Sequence, residues 1–140
     1  MSEVFFIVHN TIVGKQRPRF VRRGNFVSTY TPKKTQSFED AVAEAYRFNY
    51  PAGMSFPDEA LEIRMDFIFK MPSSWSKKKQ REMLWKPCKK KPDIDNCMKS
   101  IMDALNGVAY TDDSQITDVG KITKCWGFEE RVAVEIKEVK

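Results

Sequence analysis

The sequence predicts a small α+β domain, a mixed β-sheet with helices packed against it. Three observations carry that prediction. Short β-type apolar runs stand near both ends of the chain, helical periodicity occupies the middle, and 140 residues is a single-domain length that can bury a core. A hydrophobic content of 41% and an aromatic content of 12% are those of a globular chain. The expected order is β-(β)-α-β-α-α-β-β, with residues 1–140 forming one domain.

Val4–Val8 is an apolar run rich in β-branched and aromatic residues, the mark of a buried strand. Gly14 to Asn25 reads as an irregular basic loop, because Gly14, Pro18 and Gly24 interrupt any period. Phe26 to Tyr30 reads as a short strand. A helix then runs from Thr35 or Ser37 to Phe48, with Ser37 as N-cap and Glu39 and Asp40 in the first turn. Phe38, Val42 and Ala45 or Tyr46 form its inward stripe. After a connection through Pro51 and Pro57, Leu61–Phe69 alternates apolar and polar residues as a half-buried strand does. Ser76 to Trp85 reads as a basic helix, followed by the loop Lys86–Lys91. Ile94, Met98, Ile101 and Leu105, at spacings of four, three and four, stack on one side of a central helix that Asn106-Gly107 ends. Gln115–Trp126 and Arg131–Val139 are the last strands, joined by a hairpin connection over Gly127–Glu130.

Charge is segregated along the chain. The net charge is +5, yet Lys15 to Lys34 holds seven basic residues and no acid, and Lys77 to Lys91 holds eight basic residues and one acid. Positive charge gathered this way suits a polyanion, most often nucleic acid; the plain alternative is a pair of solvated loops. Against it, six of the nineteen acids fall between Asp93 and Asp118, with Lys99 the one basic residue among them. Cys88, Cys97 and Cys125 are an odd set without C-x-x-C spacing, so reduced thiols are expected, and a single histidine, His9, argues against structural zinc. No apolar run approaches a membrane helix, and Met1–Thr11 lacks a signal-peptide pattern, so a cytoplasmic protein with no membrane partner is expected.

Asp95, Lys99 and Asp103 fall at i, i+4 and i+8, one stripe of the central helix, and Asp93 stands at its entrance. A helix from Asp95 to Leu105 is about 15 Å long, and the chain from Asn106 to Asp113 can return up to about 23 Å, so Asp112-Asp113 can reach Asp93 and Asp95. Converging carboxylates hold protons or a cation, and oxygen donors alone select Mg²⁺, with Mn²⁺ as substitute. Each residue also has a plain role. Asp93 or Asp95 can be an N-cap, Lys99 a bridge between Asp95 and Asp103, and Asp112-Asp113 turn chemistry. An EF-hand does not fit, since D-I-D-N-C lacks the oxygen donor and glycine of that loop. A D-x-D nucleotide-sugar transferase leaves the basic charge unexplained.

The run KPDIDNCMKSIMDALNG followed by YTDDSQI resembles the RusA family of crossover-junction endodeoxyribonucleases, the phage and prophage Holliday-junction resolvases of DNA recombination and repair. The match is close over Lys91–Ile116 and looser over KQRPRF, TPKKT and the closing strands. The resemblance implies a RusA-like fold and a homodimer that cuts four-way junctions in Mg²⁺. It places the family's metal-binding catalytic aspartates on Asp93, Asp95 and Asp113 and its important lysine on Lys99. Asp112 is a further candidate ligand and Asp103 a supporting acid. Lys15, Arg17, Arg19, Arg22, Arg23, Lys77, Lys78, Lys79, Lys89, Lys90 and Lys91 would contact phosphates, which positions DNA without reading its sequence. Trp75 and Trp85 flank the second basic segment, placed either to stack on exposed bases or to pack. The competing reading is a branched-DNA-binding protein that does not cut.

Overall fold

In the computed structural model, which describes residues 3–16, 19–30 and 32–140, the chain runs β1 (Glu3–Val8), β2 (Arg19–Arg23), β3 (Phe26–Tyr30), α1 (Lys33–Asn49), β4 (Leu61–Lys70), α2 (Lys77–Met83) and α3 (Ile94–Ala104), then a 3₁₀ turn (Asp113–Gln115), β5 (Ile116–Gly127) and β6 (Arg131–Glu138). This is the expected α+β architecture. Four strands form one mixed sheet in the order β1-β6-β4-β5, with β5 parallel to β4 and the other pairs antiparallel.

Alternation makes the sheet one-sided. Val4, Phe6 and Val8 of β1, Leu61, Ile63, Met65, Phe67 and Phe69 of β4, and Val132, Val134 and Ile136 of β6 are all buried, while Phe5, Arg64 and Asp66 face out. The helices α1 and α3 cover the apolar face and pack on each other. From α1 come Phe38, Val42, Ala43 and Tyr46; Tyr46 also donates its hydroxyl to the Gly53 carbonyl at 2.7 Å and so fixes the connection that follows.

Four expectations need correction. Arg19–Arg23 is a strand, paired antiparallel with β3 across Gly24-Asn25, where Gly24 takes the left-handed φ of 59° that a tight two-residue turn requires. The first long helix begins at Lys33 behind Pro32, so Ser37 is no cap and no acid lies in the first turn. Ile94 is exposed, since it is the first residue of α3 and projects past the core; the buried side is Cys97, Ser100, Ile101, Ala104 and Leu105. Finally, β5 and β6 form no hairpin: β4 lies between them, and Gly127–Glu130 crosses over the end of β4. Glu130 secures that crossing, its carboxylate accepting from the backbone N–H of Lys70 (3.1 Å) and of Ile12 (2.8 Å).

The basic helix is shorter than expected, Lys77–Met83, with the Ser76 hydroxyl accepting from Lys79 N. The chain then turns at Trp85 and runs beside the outer edge of β5. Trp85 N donates to the Trp126 carbonyl, Trp126 N to the Lys86 carbonyl and Cys88 N to the Lys124 carbonyl. Part of the edge strand is thereby covered.

Candidate active site

The connection from β4 to β5 carries the acids, and β5 fixes where it ends. Lys124 of β5 reaches across with its ammonium and donates to the Pro92 carbonyl at 2.6 Å and to the Lys90 carbonyl. That holds the chain immediately before α3. At the helix entrance Asp93 occupies the N-cap position with no side-chain cap bond; its backbone carbonyl accepts from Cys97 N at 3.0 Å. Its carboxylate instead accepts from Lys91 Nζ at 2.7 Å, and this partner, with Lys124 behind it, holds the Asp93 carboxyl below the usual range. Asp95 stands exposed in the first turn, where the helix dipole favours a carboxylate.

Gly14 sits against this entrance. A Cβ at Gly14 would stand 2.5 Å from Pro92 Cβ, so only glycine lets the two segments approach, and Lys15 N then donates to the Asn96 carbonyl at 2.9 Å. Between them lies a groove of about 490 Å³ lined by Lys15, Lys34, Lys91, Asp93 and Asn96. In the sequence Lys34 is one member of the basic run; its place in the groove is visible only once the fold brings α1 beside α3.

Farther along the stripe, Lys15 Nζ is 2.7 Å from Glu39 and 3.3 Å from Asp103. Burial pulls the Lys15 ammonium down, but the two carboxylates outweigh it and raise its pKa. Lys99 is exposed and forms no ion pair among the described residues, so it does not bridge Asp95 to Asp103.

The aspartate pair beyond α3 divides its labour. Asp112 caps the 3₁₀ turn: its carboxylate accepts from Ser114 N at 3.1 Å, and these bonds lower its pKa. Gln115 closes the box, accepting from Asp112 N and Thr111 N and donating to the Phe56 and Glu59 carbonyls. Asp113 is left to face α3. Burial, then the nearby Asp112 and Asp103 carboxylates, raise its pKa, with Lys99 in partial opposition.

The acids therefore line α3 without closing into one cage. Asp93 and Asp95 stand at its start; Asp103 and Asp113 stand at its far end, with Lys99 between. Among the described residues no three acidic, histidine or cysteine side chains converge as a metal-holding group. As donors, the carboxylates suit a hard divalent cation, and crowding at Asp113 is the kind a cation relieves.

Of the other basic residues, Lys77, Lys78, Lys79, Lys89, Lys90 and Lys91 are exposed, and Lys79 Nζ lies 4.4 Å over the Trp75 ring. Trp75 packs edge-on against Trp126 at 5.0 Å, whereas Trp85 is exposed. Arg22 is exposed in β2; Arg17 and the side chains of Arg19 and Arg23 lie outside the described residues. All three cysteines are free thiols, and burial pushes that of Cys97 up to about 11. No described helix is long and apolar enough to cross a membrane.

Fold and site together define a small α+β protein whose central helix carries a stripe of acids and a lysine and opens, at Asp93, on a groove lined by lysines. Residues 10–137 match the family described as Endodeoxyribonuclease RusA, and the chain belongs to that family of DNA-cutting enzymes. It is also similar to a protein of Bacillus subtilis (strain 168), "Uncharacterized protein YqaN", at 33% identity over 142 aligned residues that cover 99% of each chain.

Proposed function

We propose that this chain, acting as one domain and as a homodimer in the cytoplasm, is a divalent-metal-dependent endodeoxyribonuclease that resolves four-way junctions by paired symmetric cuts. The observation that carries the reading is the entrance to α3, where Asp93 lines a groove together with Lys15, Lys34 and Lys91 on the helix that also carries Asp95 and Lys99, within a chain of nuclease family. Two symmetric cuts in opposing strands call for two identical sites related by a two-fold axis, which a homodimer supplies.

Asp93 and Asp95, at the entrance to α3, would offer the first donors to Mg²⁺, or Mn²⁺ in its place; Asp113 would join them only if its turn and the entrance are brought together when the substrate binds, while Asp112 remains committed to its turn. When bound, the cation supplies charge to the scissile phosphodiester and lowers the pKa of water, giving 5′-phosphate and 3′-hydroxyl ends. The Lys99 ammonium stabilises charge that develops on the phosphate or the leaving oxygen. Lys15 holds Asp103 in place, and Lys34 and Lys91 grip phosphates along the groove. Lys124 and Gly14 fix the Pro92–Asp93 entrance against the same groove.

One observation favours a second reading, a branched-DNA-binding protein that does not cut: the carboxylates do not close into a three-acid cage among the described residues. Cleavage of an end-labelled synthetic four-way junction, with and without Mg²⁺, separates the two for wild type and Asp95→Asn. Paired metal-dependent nicks at symmetric positions, absent in Asp95→Asn while junction binding persists, support the nuclease. Tight junction binding with no cuts in Mg²⁺ or Mn²⁺ leaves the binder.

A further inference from the structure

One element of the molecule holds described apolar side chains that meet no core. In the β2–β3 hairpin Phe20, Phe26 and Val27 are 75%, 81% and 62% exposed, and no described residue of either strand belongs to the hydrophobic core. The register sets Phe20 opposite Thr29 and Arg22 opposite Val27, so alternation puts Phe20, Arg22 and Val27 on one face and Phe26 on the other. Aromatic rings thus stand in water on both faces of a two-stranded ribbon, an element that is marginal by itself. Such a surface marks a place of contact.

Charge decides what meets it. The ribbon itself carries Arg19, Arg22 and Arg23 and no acid, so two copies of it would repel one another, and a polyanion is the complementary partner. Arg22 already bends toward the turn, its Nε donating to the Gly24 carbonyl at 3.3 Å. In an intact duplex the base faces are stacked on each other and offer a phenyl ring nothing to cover. At an open branch point they are exposed, and base–aromatic stacking is sequence-tolerant.

We infer that the β2–β3 hairpin is the arm that senses branched DNA, with Phe20 and Phe26 stacking on bases laid open at the junction and Arg22 holding an adjacent phosphate. This deepens the nuclease reading and rests on it. Preference for a junction over a duplex then resides in the hairpin, while Asp93, Asp95 and Lys99 act on the backbone of whatever is held.

The test compares wild type with Phe20→Ala/Phe26→Ala for binding to a four-way junction and to a duplex of equal length, both in EDTA so that no cutting occurs. Junction affinity should fall by about tenfold per ring removed, with duplex affinity unchanged. Phe20→Leu/Phe26→Leu, which keeps apolar bulk but not the planar ring, should show the same loss, and Phe20→Trp/Phe26→Trp should restore it. Arg22→Ala should weaken both substrates alike. An equal loss on both DNAs in the double variants, or no loss, overturns the inference. So does a drop in sedimentation mass, which would make the hairpin an interface between copies. If wild type cuts junctions while the Leu variant keeps its preference, the inference fails and the nuclease reading stands. If wild type shows no junction preference, both fail.

Discussion

The Lys15 ammonium lies 3.3 Å from the Asp103 carboxylate, tying the segment ahead of β2 to the helix that carries the acidic stripe. Glu39 of α1 completes the contact at 2.7 Å. Lys15→Met would leave two half-buried acids facing each other. It should destabilise the protein by about 1–2 kcal/mol in urea unfolding, between the values for exposed and buried pairs because water still screens this one. Since the pairing raises the Lys15 pKa, its contribution is full below pH 10.5 and is lost as pH rises past that value. A Lys15→Met midpoint equal to wild type at pH 7 would show that the cluster contributes nothing.

Gly14 and Pro92 form a closer contact. Gly14→Ala would drive a methyl group to within 2.5 Å of Pro92 Cβ, and relief requires backbone movement on one side. Overpacking of this kind typically costs about 1–3 kcal/mol. A double-mutant cycle with Pro92→Gly checks the cause, because part of the Gly14→Ala effect should vanish once the opposing Cβ is gone. Strict additivity would place the strain elsewhere.

Asp113 and Asp112 should respond to pH in opposite senses. The Asp113 pKa is raised in the fold, so its ionisation opposes folding, and stability tied to its protonated form is lost as pH rises above 3.8. Asp112 is lowered, so its stabilisation is present above 3.8 and disappears as pH falls below it. At pH 7, Asp113→Asn should therefore raise Tm slightly and abolish cleavage. Asp112→Ala should lower Tm by losing a turn cap, with weaker effect on cleavage. Thermal melts across pH 3 to 7, run beside the junction assay, check both, and a shared sign for the two variants would refute the division of roles.

Much of this arrangement is legible from local pattern, and the misreadings share a cause. The alternation in Leu61–Phe69 and the spacing of Ile101 and Leu105 report burial directly. Ile94 continues the same spacing but is the first residue of its helix, beyond the reach of the core, and small Cys97, Ser100 and Ala104 fill the contact instead. Gly24 reads as a breaker, though Gly24-Asn25 between β-type flanks is also how a hairpin is written. The joint from β5 to β6 is as short as a hairpin loop, and nothing local reveals that β4 intervenes; that order is settled by pairing across the whole sheet. Chain reach allowed Asp113 to meet Asp93 and Asp95, yet the Asp112–Gln115 box anchors it to the Phe56 and Glu59 carbonyls and directs it toward Asp103.

Lys124 had no motif to mark it, and it offers the sharpest separation of positioning from chemistry. Its ammonium satisfies the Pro92 and Lys90 carbonyls and lies 5.3 Å from the Phe69 ring, so it holds the entrance to α3 without standing among the acids. Lys124→Met keeps most of the aliphatic length while removing the donors. Two carbonyls would lose a charged partner, a loss of about 2 kcal/mol. If Lys124 acts through Asp93, the junction should still bind with wild-type affinity while cleavage slows, and raising Mg²⁺ should recover part of the rate as a misplaced ligand set is refilled. Lys124→Arg, which keeps the charge and can still donate to carbonyls, should retain more activity than Lys124→Met. A Lys124→Met protein that is less stable but cuts at the wild-type rate below its melting range would make this lysine a structural tie and nothing more.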